Sequence, residues 1–457
     1  MGKRLIRFLS LLAVLSLVLA ACGGGDDTAG TEAPDDTEAP TDTEAPDDTE
    51  APDDTEAPDD TMGEEDPLGT VTVGPGEPIQ IRSLNAISGD AAFLGTPNER
   101  AVELTIEDYG QIAGHDVDMG TGLDDLCSAE GGQSAAQTIV ADQQVLGVIG
   151  TSCSGAAAAA SPVISDAGMV MISPSNTSPS LTSDLEGNPG ENYYEGYYRT
   201  AHNDLFQGQA VAEFVYNELG LTTAAAIHDG DPYTQGLAQA FADAFEAQGG
   251  TITGFTAVNK GDTDMTPVLS EVAGDSPEAL YFPIFPPEGN FIAQQIGDVE
   301  GLEETQLLSA DGMLVENFLE IPESEGIYFS GPSLQFEGNQ NELTGVSAED
   351  FLATYNESYG EAPSAAFWAH SYDATTMLLA AIEEVAQEGD DGSLTIGRQA
   401  LQDAIAGLEF QGMIGQISCD EFGDCGSQQI QIVDHQDSSV TDSTQLPVVF
   451  SYQGEVG

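Results

Sequence analysis

Two turns in the sequence carry side chains that suit the binding of a small carboxylate. Thr151 to Gly155 follow the apolar run VLGVIG, and Ser173 to Thr177 follow MVMI. Hydroxyl groups beside the free N–H groups at the start of a helix can hold a carboxylate without a basic side chain. The alternative, in which the serines and threonines only cap helices, fits one turn better than it fits two turns after neighbouring strands. We therefore predict a carboxylate site at these turns.

The residues that most often drive catalysis form no recognisable catalytic motif here. The five histidines are scattered along the chain, and no GxSxG elbow, HExxH or GxxxxGKS/T motif occurs. The segment GTSCSG lacks the glycine that a nucleophile elbow needs two residues after its serine. Ser154, His228 and Asp229 can be drawn as a triad, but only their residue types support it. We predict that the protein is not an enzyme and needs no cofactor.

The charge balance excludes one large class of partners. The chain has 457 residues, with 79 acidic against 8 basic side chains and a formal net charge of −71. Nucleic acids are bound through Lys and Arg contacts to phosphate, so we expect no nucleic-acid partner. The basic residues after position 69 are Arg82, Arg100, Arg199, Lys260 and Arg398. So acidic a surface indicates a saline environment, where counterions screen self-repulsion.

Residues 1–21 are typical of a secretory signal. A basic start with Lys3, Arg4 and Arg7 precedes an apolar stretch, and the segment ends in LAAC at Cys22. This ending resembles the bacterial lipobox, in which the cysteine receives a diacylglycerol and becomes the mature N-terminus. The alternative is an ordinary signal peptide with an incidental cysteine. We expect an exported protein attached by lipid at Cys22.

Residues 22–69 predict an extended linker. The repeat TEAPDD starts at residues 31, 37, 43, 49 and 55, with one copy reading TEAPTD. Repelling carboxylates and regularly spaced prolines favour a solvated chain without a core. The linker would hold the folded part away from the membrane.

The remaining four cysteines favour disulfides over a metal site. Cys127, Cys153, Cys419 and Cys425 allow three pairings, and their spacings do not fit a CxxC zinc site. Two disulfides suit an oxidising compartment. The carboxylates of SCDEFGDCG could hold Ca²⁺, but they lack EF-hand spacing. We expect a tight, solvated turn there and no metal.

From residue 77 onward, short apolar runs alternate with amphipathic stretches. The runs IQIRSLNAI, VLGVIG, MVMISP, AAAIHD, ALYFPIF and QLLSAD are typical of buried strands, and helical patterns such as TQGLAQAFADAFEAQG follow most of them. Alternation of this kind predicts parallel sheets with right-handed crossovers. The length exceeds that of one sheet, so we predict an α/β fold with two domains. Ligands of such sheets bind beyond the carboxyl ends of the strands. The turns at residues 151–155 and 173–177, which we call the hydroxyl turns, lie there.

Several of these segments together resemble a known family. TSCSGAAAAASPVISDAGMVMISPSNTSPSLT, YYRTAHNDLFQG and IHDGDPYTQGLAQAF are similar to segments of the Leu/Ile/Val-type solute-binding proteins of ABC importers, which have the type I periplasmic binding fold. SGDAAFLG, LDDLC, DTDMTPVLSEV and SYDATTMLLAAI match in order and spacing. The resemblance runs from about Pro78 to the C-terminus.

The resemblance implies two Rossmann-like lobes with parallel sheets, joined by three crossover hinge segments and closing on a ligand. The first lobe would comprise residues 76–202 and 333–410, and the second residues 203–332 and 411–457. It also implies that Cys127 pairs with Cys153, which leaves Cys419 with Cys425.

The family's ligand contacts can be carried over residue by residue. Ser154 matches the hydroxyl that meets the ligand α-carboxylate. Ser175 and Thr177 match the second turn, which holds the α-carboxylate and the α-ammonium. Asp204, after the first crossover, and Tyr233, in HDGDPY, match contacts from the second lobe.

Three positions depart from the family pattern. The glutamate that pairs with the α-ammonium is matched by Asp311, which is shorter by one methylene. One cleft tyrosine is matched by Phe285, and another by Leu94. The clamp for an α-amino acid is kept in outline, while Leu94, Tyr233 and Phe285 would form a more apolar lining.

The resemblance therefore predicts a receptor that delivers a small zwitterionic solute, a branched-chain or other apolar amino acid, to an ABC permease. We expect a monomer on the outer face of the bacterial cytoplasmic membrane. Two alternatives stay open: a ligand-sensing receptor of the same fold, or an importer receptor for an amide, urea or an aromatic acid.

Overall fold

The computed structural model describes residues 66–454. The predicted signal segment, the lipid attachment at Cys22 and almost all of the linker lie outside the described residues. Within residues 66–454, no helix is both long enough and apolar enough to cross a membrane.

The first large sheet contains parallel strands in the order β3-β2-β5-β6-β7, with β4 beside β2. Its strands are β2 (Ile79–Asn85), β3 (Val117–Asp118), β4 (Leu123–Asp124), β5 (Val145–Gly150), β6 (Val170–Ser173) and β7 (Tyr197–Arg199), and β1 (Thr70–Val73) precedes them in the chain. The helices between these strands are α1 (Ala92–Tyr109), α2 (Ala129–Val140) and α3 (Ser154–Asp166). Every residue of β5 is buried, because helices cover both faces of a parallel sheet.

The second large sheet has seven strands in the order β18-β17-β12-β11-β10-β8-β9. Its strands are β8 (Thr223–His228), β9 (Thr251–Ala257), β10 (Ala279–Tyr281), β11 (Gln306–Ala310), β12 (Ile327–Pro332), β17 (Gln429–His435) and β18 (Val448–Gln453). Strands β8 to β12 are parallel, whereas β17 and β18 run antiparallel to their neighbours. The helices of this part are α4 (Asp204–Glu213), α5 (Pro232–Ala247), α6 (Thr266–Ala273), α7 (Glu288–Ile296) and α8 (Glu316–Leu319).

Strand β10 is shorter than the run ALYFPIF predicts. It ends at Tyr281, two residues before Pro283. Proline has no N–H to donate to a neighbouring strand, so the ladder stops there and the following residues form a loop at the sheet's edge. Phe285 is therefore a loop residue.

The remaining elements pack around the first sheet. They are α9 (Ala348–Tyr359), α10 (Trp368–Val385), β13 (Gln387–Glu388), β14 (Leu394–Gly397), α11 (Arg398–Gly407), β15 (Glu409–Gly412) and β16 (Gly415–Ser418). Strands β1, β14 and β13 form a small antiparallel sheet, and β15 and β16 form a hairpin. We call the first large sheet with these elements the first lobe, and the second large sheet with its helices the second lobe.

The chain passes between the lobes three times, as the fold prediction requires: after β7, after β12 and after β16. The third passage lies later than expected. Phe410, Met413 and Ile417 of the hairpin belong to the same buried cluster as Ile81 of the first sheet, so the hairpin packs in the first lobe. Cys425 belongs to this cluster too, and its N–H donates to the carbonyl of Arg199 in β7, so the chain leaves this lobe after Cys425 and not after residue 410.

The end of the predicted linker belongs to the folded part. Asp66 accepts hydrogen bonds from the backbone N–H groups of Gln399 at 3.0 Å and Ala400 at 3.1 Å. The N–H of Arg398 donates to the carbonyl of Gly69 at 2.9 Å. Asp66 therefore caps the free N–H groups at the start of α11, a favourable place for a carboxylate. The linker expected over residues 22–69 ends before Asp66.

Candidate functional site

The two hydroxyl turns lie side by side at the carboxyl ends of β5 and β6, which pair in parallel. The N–H of Ser178 donates to Ser154 Oγ at 3.3 Å. Ser175 Oγ donates to the carbonyl of Ser152 at 3.0 Å. These bonds tie the turns together, and Ser154 is also the first residue of α3, where helix N–H groups are free. The arrangement suits a carboxylate held between the turns.

Thr177 connects this region to the start of the second lobe. Its carbonyl accepts the N–H of Asp204 at 2.9 Å. Its hydroxyl is buried and makes no hydrogen bond of ordinary geometry among the described residues, although it lies near the Asp204 carboxylate. Thr177 can therefore offer its hydroxyl to a ligand at the point where the chain first leaves the first lobe.

Asp204 is the first residue of α4 but not its N-cap. Asn203 is the cap, because its side chain accepts the N–H of Leu205 at 3.0 Å. Asp204 is fully buried, and neither carboxylate oxygen makes a hydrogen bond of ordinary geometry within the described chain, although the Thr177 hydroxyl is close enough to lower the pKa of Asp204 in part. Burial raises the pKa of Asp204 well above its ordinary value, and the charge of Asp311 raises it further. A buried carboxylate without a partner is costly unless a ligand supplies one.

Asp311 lies near Asp204 in a short 3₁₀ turn after β11. Its Oδ1 accepts hydrogen bonds from Gln207 Nε2 at 3.0 Å and from the Tyr233 hydroxyl at 3.4 Å. Burial raises the pKa of Asp311 to about 6, against the opposing effect of these two hydrogen bonds. The two carboxylates thus form an acidic pair near the turn that holds Thr177.

The apolar part of the site contains residues from both lobes. The Tyr233 and Phe285 rings pack at 5.2 Å. Phe285 also packs against a first-lobe cluster that includes Leu94 and Phe367. The lobes meet again where Gly155 of α3 approaches the carboxylate of Asp231. All eight predicted ligand-binding residues therefore surround one region between the lobes.

Four polar side chains in this region were missed by sequence reasoning. Asn98, Asn176, His202 and His370 are buried, and each has a polar side-chain atom without a partner among the described residues. Asn98 follows Leu94 by four residues and so lies on the same face of α1, which is the one sequence signal that could have indicated it. The others depend on how distant segments pack.

A buried ion pair supports the second hydroxyl turn from behind. Arg199 Nη1 donates to the carbonyls of Asn176 at 3.1 Å and Ser178 at 2.8 Å, on either side of Thr177. Its Nε donates to Asp424, which lies in the loop closed by Cys419 and Cys425. Asp424 is 2% exposed, so the expectation of a solvated turn is wrong: the loop docks against Arg199.

Both disulfides have the pairing that the resemblance implies. Cys127 is joined to Cys153, and Cys419 to Cys425. The first bond adjoins Ser154 at the start of α3. No group of three or more His, Cys, Asp or Glu side chains within residues 66–454 is placed to hold a metal ion.

The charges of the site favour a ligand that brings its own cation. Arg199 is paired with Asp424, and Lys260 lies 3.2 Å from Asp231. The other basic residues after position 69 are engaged elsewhere: Arg82 with Asp142, Arg100 with Glu361, and Arg398 with the carbonyl of Gln143. Within residues 66–454, no basic side chain forms an ion pair with Asp204 or Asp311, although the charge of Arg199 lowers the pKa of Asp204 in part. Hydroxyls on one side and carboxylates on the other suit a zwitterion.

Two α/β lobes that enclose such a site between them define a class, the two-lobed solute-binding proteins. The chain belongs to the periplasmic binding protein family, whose match covers residues 78–435. Membership of this family implies an extracytoplasmic protein.

Curated relatives share about a quarter of their residues with this chain. A Leu/Ile/Val-binding protein homologue from Brucella melitensis biotype 1 is 25% identical over 374 residues, covering 79% of this chain and 92% of the relative. The Leu/Ile/Val/Thr-binding protein of Salmonella typhimurium is 25% identical over 386 residues, covering 80% of this chain and 94% of the relative. These relatives are solute-binding proteins and not enzymes.

Solved structures agree on the fold. The leucine-binding protein LivK from Thermotoga maritima has a TM-score of 0.69 at 24% identity, covering 82% of this chain and 99% of its own. A solute-binding protein of R. palustris in complex with benzoate has a TM-score of 0.65 at 17% identity, covering 83% of this chain and 98% of its own. At these identities the likeness concerns the fold alone.

Proposed function

We propose that this protein is the receptor of an ABC importer and binds a small α-amino acid between its lobes. The observation that carries the proposal is the pairing of two hydroxyl turns with the carboxylates Asp204 and Asp311, to neither of which a basic side chain of the described chain is paired. The names of the curated relatives support an amino acid, and the apolar walls support a branched-chain or other apolar side chain.

In this proposal the first lobe holds the ligand carboxylate. Ser154 and the N–H groups at the start of α3 would meet it, together with Ser175 and Thr177. The partial positive charge of a helix start lowers the energy of a bound anion. No basic residue is needed for this half of the clamp.

The second lobe holds the ligand ammonium when the lobes close. Asp311, oriented by Gln207 and Tyr233, would accept it, with Asp204 nearby. A ligand without an ammonium would leave the Asp311 charge desolvated and unpaired, which costs several kcal/mol. Acidic and neutral solutes are therefore disfavoured. Leu94, Tyr233 and Phe285 would pack against the side chain.

The location follows from the N-terminal segment. We propose that a lipid on Cys22 and the acidic linker hold the receptor beside its permease, on the outer face of the cytoplasmic membrane. The receptor would act as a monomer and without catalysis, since delivery needs only binding and lobe opening.

A thermal-shift panel tests this function. Purified, ligand-free protein is heated with each common amino acid, with simple amides and urea, and with aromatic acids, in moderate salt. We expect stabilisation by one or more α-amino acids, and none by these ligands in Asp311→Ala. Stabilisation only by a solute that is not an amino acid would refute the proposed ligand and keep the receptor. No response from folded protein would favour a sensing receptor of the same fold.

A further inference from the structure

Asn98 lies beside the second hydroxyl turn and has an unused acceptor. Its Nδ2 donates to Ser175 Oγ at 3.2 Å, and Ser175 belongs to the second hydroxyl turn. Because Ser175 Oγ gives its own proton to the carbonyl of Ser152, it must accept from Asn98, and this assigns the amide nitrogen. The oxygen, Asn98 Oδ1, is buried and has no partner in the described chain. Asn98 follows Leu94 by one helical turn and so lies on the same face of α1. Leu94 belongs to the apolar lining, which we call the apolar wall.

His202 lies between the apolar wall and the acidic pair. Its ring stacks on Phe367 with centroids 6.4 Å apart, and Phe367 packs in the same cluster as Leu94. Its Nε2 lies 2.5 Å from Gln207 Oε1. The same glutamine amide bonds to Asp311, so His202 is one side chain away from the carboxylate expected to hold the ammonium.

The hydrogen bonds of Gln207 determine the tautomer of His202. Gln207 Nε2 donates to Asp311 Oδ1 at 3.0 Å and to the carbonyl of Ser330 at 3.2 Å, and both of these groups only accept. The amide oxygen must therefore face His202, and His202 Nε2 must carry the proton. Burial lowers the pKa of His202 to about 4, so the ring is neutral near pH 7. His202 Nδ1 is left as a buried acceptor without a partner among the described residues.

The site thus contains more acceptors than an α-amino acid backbone can use. The three N–H groups of an ammonium have Asp311, Asp204 and Thr177 available to them. Asn98 Oδ1 and His202 Nδ1 need a further donor, because a buried acceptor left unpaired loses the hydrogen bonds that water would give it. A purely hydrocarbon side chain cannot supply that donor.

We propose that Asn98 and His202 form a polar subsite that accepts a hydrogen bond from the ligand side chain. The preferred amino acid would then have a short side chain ending in an N–H or O–H group, held between apolar walls. This inference rests on the proposed amino-acid function, and it replaces the purely apolar side chain proposed there with one that ends in a hydrogen-bond donor.

Two pairs of amino acids of nearly equal shape test the subsite. Asparagine is close in shape to leucine, and threonine to valine, but only the first member of each pair has a donor. Calorimetric titration of the purified full chain is expected to give at least about tenfold tighter binding for asparagine than for leucine, and for threonine than for valine. A site that hydrogen-bonds a substrate group rejects analogues lacking it more strongly than an apolar pocket discriminates by size.

Variants at the two positions separate the subsite from general packing. His202→Phe keeps a ring against Phe367 but removes the acceptor, so the preference for asparagine over leucine should disappear. His202→Asn places an oxygen near the position of Nδ1 and should keep part of the preference for asparagine. Asn98→Leu preserves shape and should also remove the preference, which provides a test if His202→Phe does not fold. His228→Phe, a control in the second lobe against Phe255, should change all four affinities alike.

The possible results distinguish the two proposals. If leucine and valine bind wild-type protein as tightly as asparagine and threonine, the polar subsite is wrong while the amino-acid function stands. A preference that survives both His202→Phe and Asn98→Leu also overturns the subsite. If none of the four binds to folded, ligand-free protein, the subsite is wrong; if no amino acid of the thermal-shift panel stabilises that protein either, the proposed amino-acid function fails as well.

Discussion

Replacing Gly155 with alanine should weaken ligand binding without unfolding the protein. A Cβ atom at this position in α3 would lie 2.6 Å from Asp231 Oδ2 in the second lobe, whereas ordinary contacts begin at 3.4 Å. Asp231 cannot easily turn away, because its Oδ1 accepts the Tyr233 N–H at 3.0 Å and its Oδ2 accepts from Lys260 at 3.2 Å. The lobes would have to separate here by roughly 0.8 Å.

The expected loss of affinity follows from this overlap. Overpacking of this kind costs about 1–3 kcal/mol, which corresponds to roughly 5- to 150-fold weaker binding. The strain exists only when the lobes are closed, so the melting temperature of the ligand-free protein should stay near that of the wild type. Calorimetric titration with leucine and thermal unfolding without ligand measure the two quantities.

Gly236→Ala is a matched control in the opposite helix. A Cβ atom at Gly236 would meet Pro179 and Ser178 of the first lobe at 3.5 Å, an ordinary contact. Its affinity should stay within about twofold of wild type, which is less than 0.5 kcal/mol. Wild-type affinity in Gly155→Ala, or an equal loss in the control, would refute the reasoning that these lobes close as described.

Two further predictions concern buried charge. The pKa of Asp311 is raised to about 6, and its ionised form is the one that attracts an ammonium. The affinity for leucine should therefore fall about tenfold per pH unit below pH 6, and this dependence should be weaker in Asp311→Asn, where only Asp204 of the pair still titrates, as titrations from pH 5 to 8 would show. Unchanged pH dependence in the variant would exclude Asp311 as the group. Arg199→Met should lower the free energy of unfolding by about 3–5 kcal/mol in urea titrations, because it leaves Asp424 buried and unpaired, whereas Arg82→Met removes a more exposed pair and should cost about 1 kcal/mol or less. Equal losses of unfolding free energy in the two variants would show that burial of the Arg199 pair does not determine the size of the loss.

The features that could be predicted from the sequence are those with local causes. The hydroxyl turns depend on a strand ending beside serines and threonines, so their position at the sheet edge was foreseeable from residues 151–155 and 173–177. The α/β alternation has the same local origin. Resemblance then indicated Asp311, whose partners are more than 70 residues away in the chain.

The features that could not be predicted depend on distant packing. Ser371 of α10 donates to the carbonyl of Asn98, 273 residues earlier, and such contacts leave no pattern in either segment. Asp424 looked like one carboxylate of a solvated loop because nothing nearby in sequence indicates Arg199. The docking of Asp66 on α11 was hidden in the same way, since residues 66–69 share the composition of the linker.

The central claim is that the site recognises an α-ammonium and an α-carboxylate together. Calorimetric titration of the purified protein with leucine, leucinamide and isocaproate tests it most directly, since the analogues lack the carboxylate charge and the ammonium in turn. We predict that leucine binds and that each analogue binds at least about a hundredfold more weakly, a loss near 3 kcal/mol. If isocaproate binds as tightly as leucine, Asp204 and Asp311 do not recognise an ammonium, and the proposed recognition of a zwitterion is wrong.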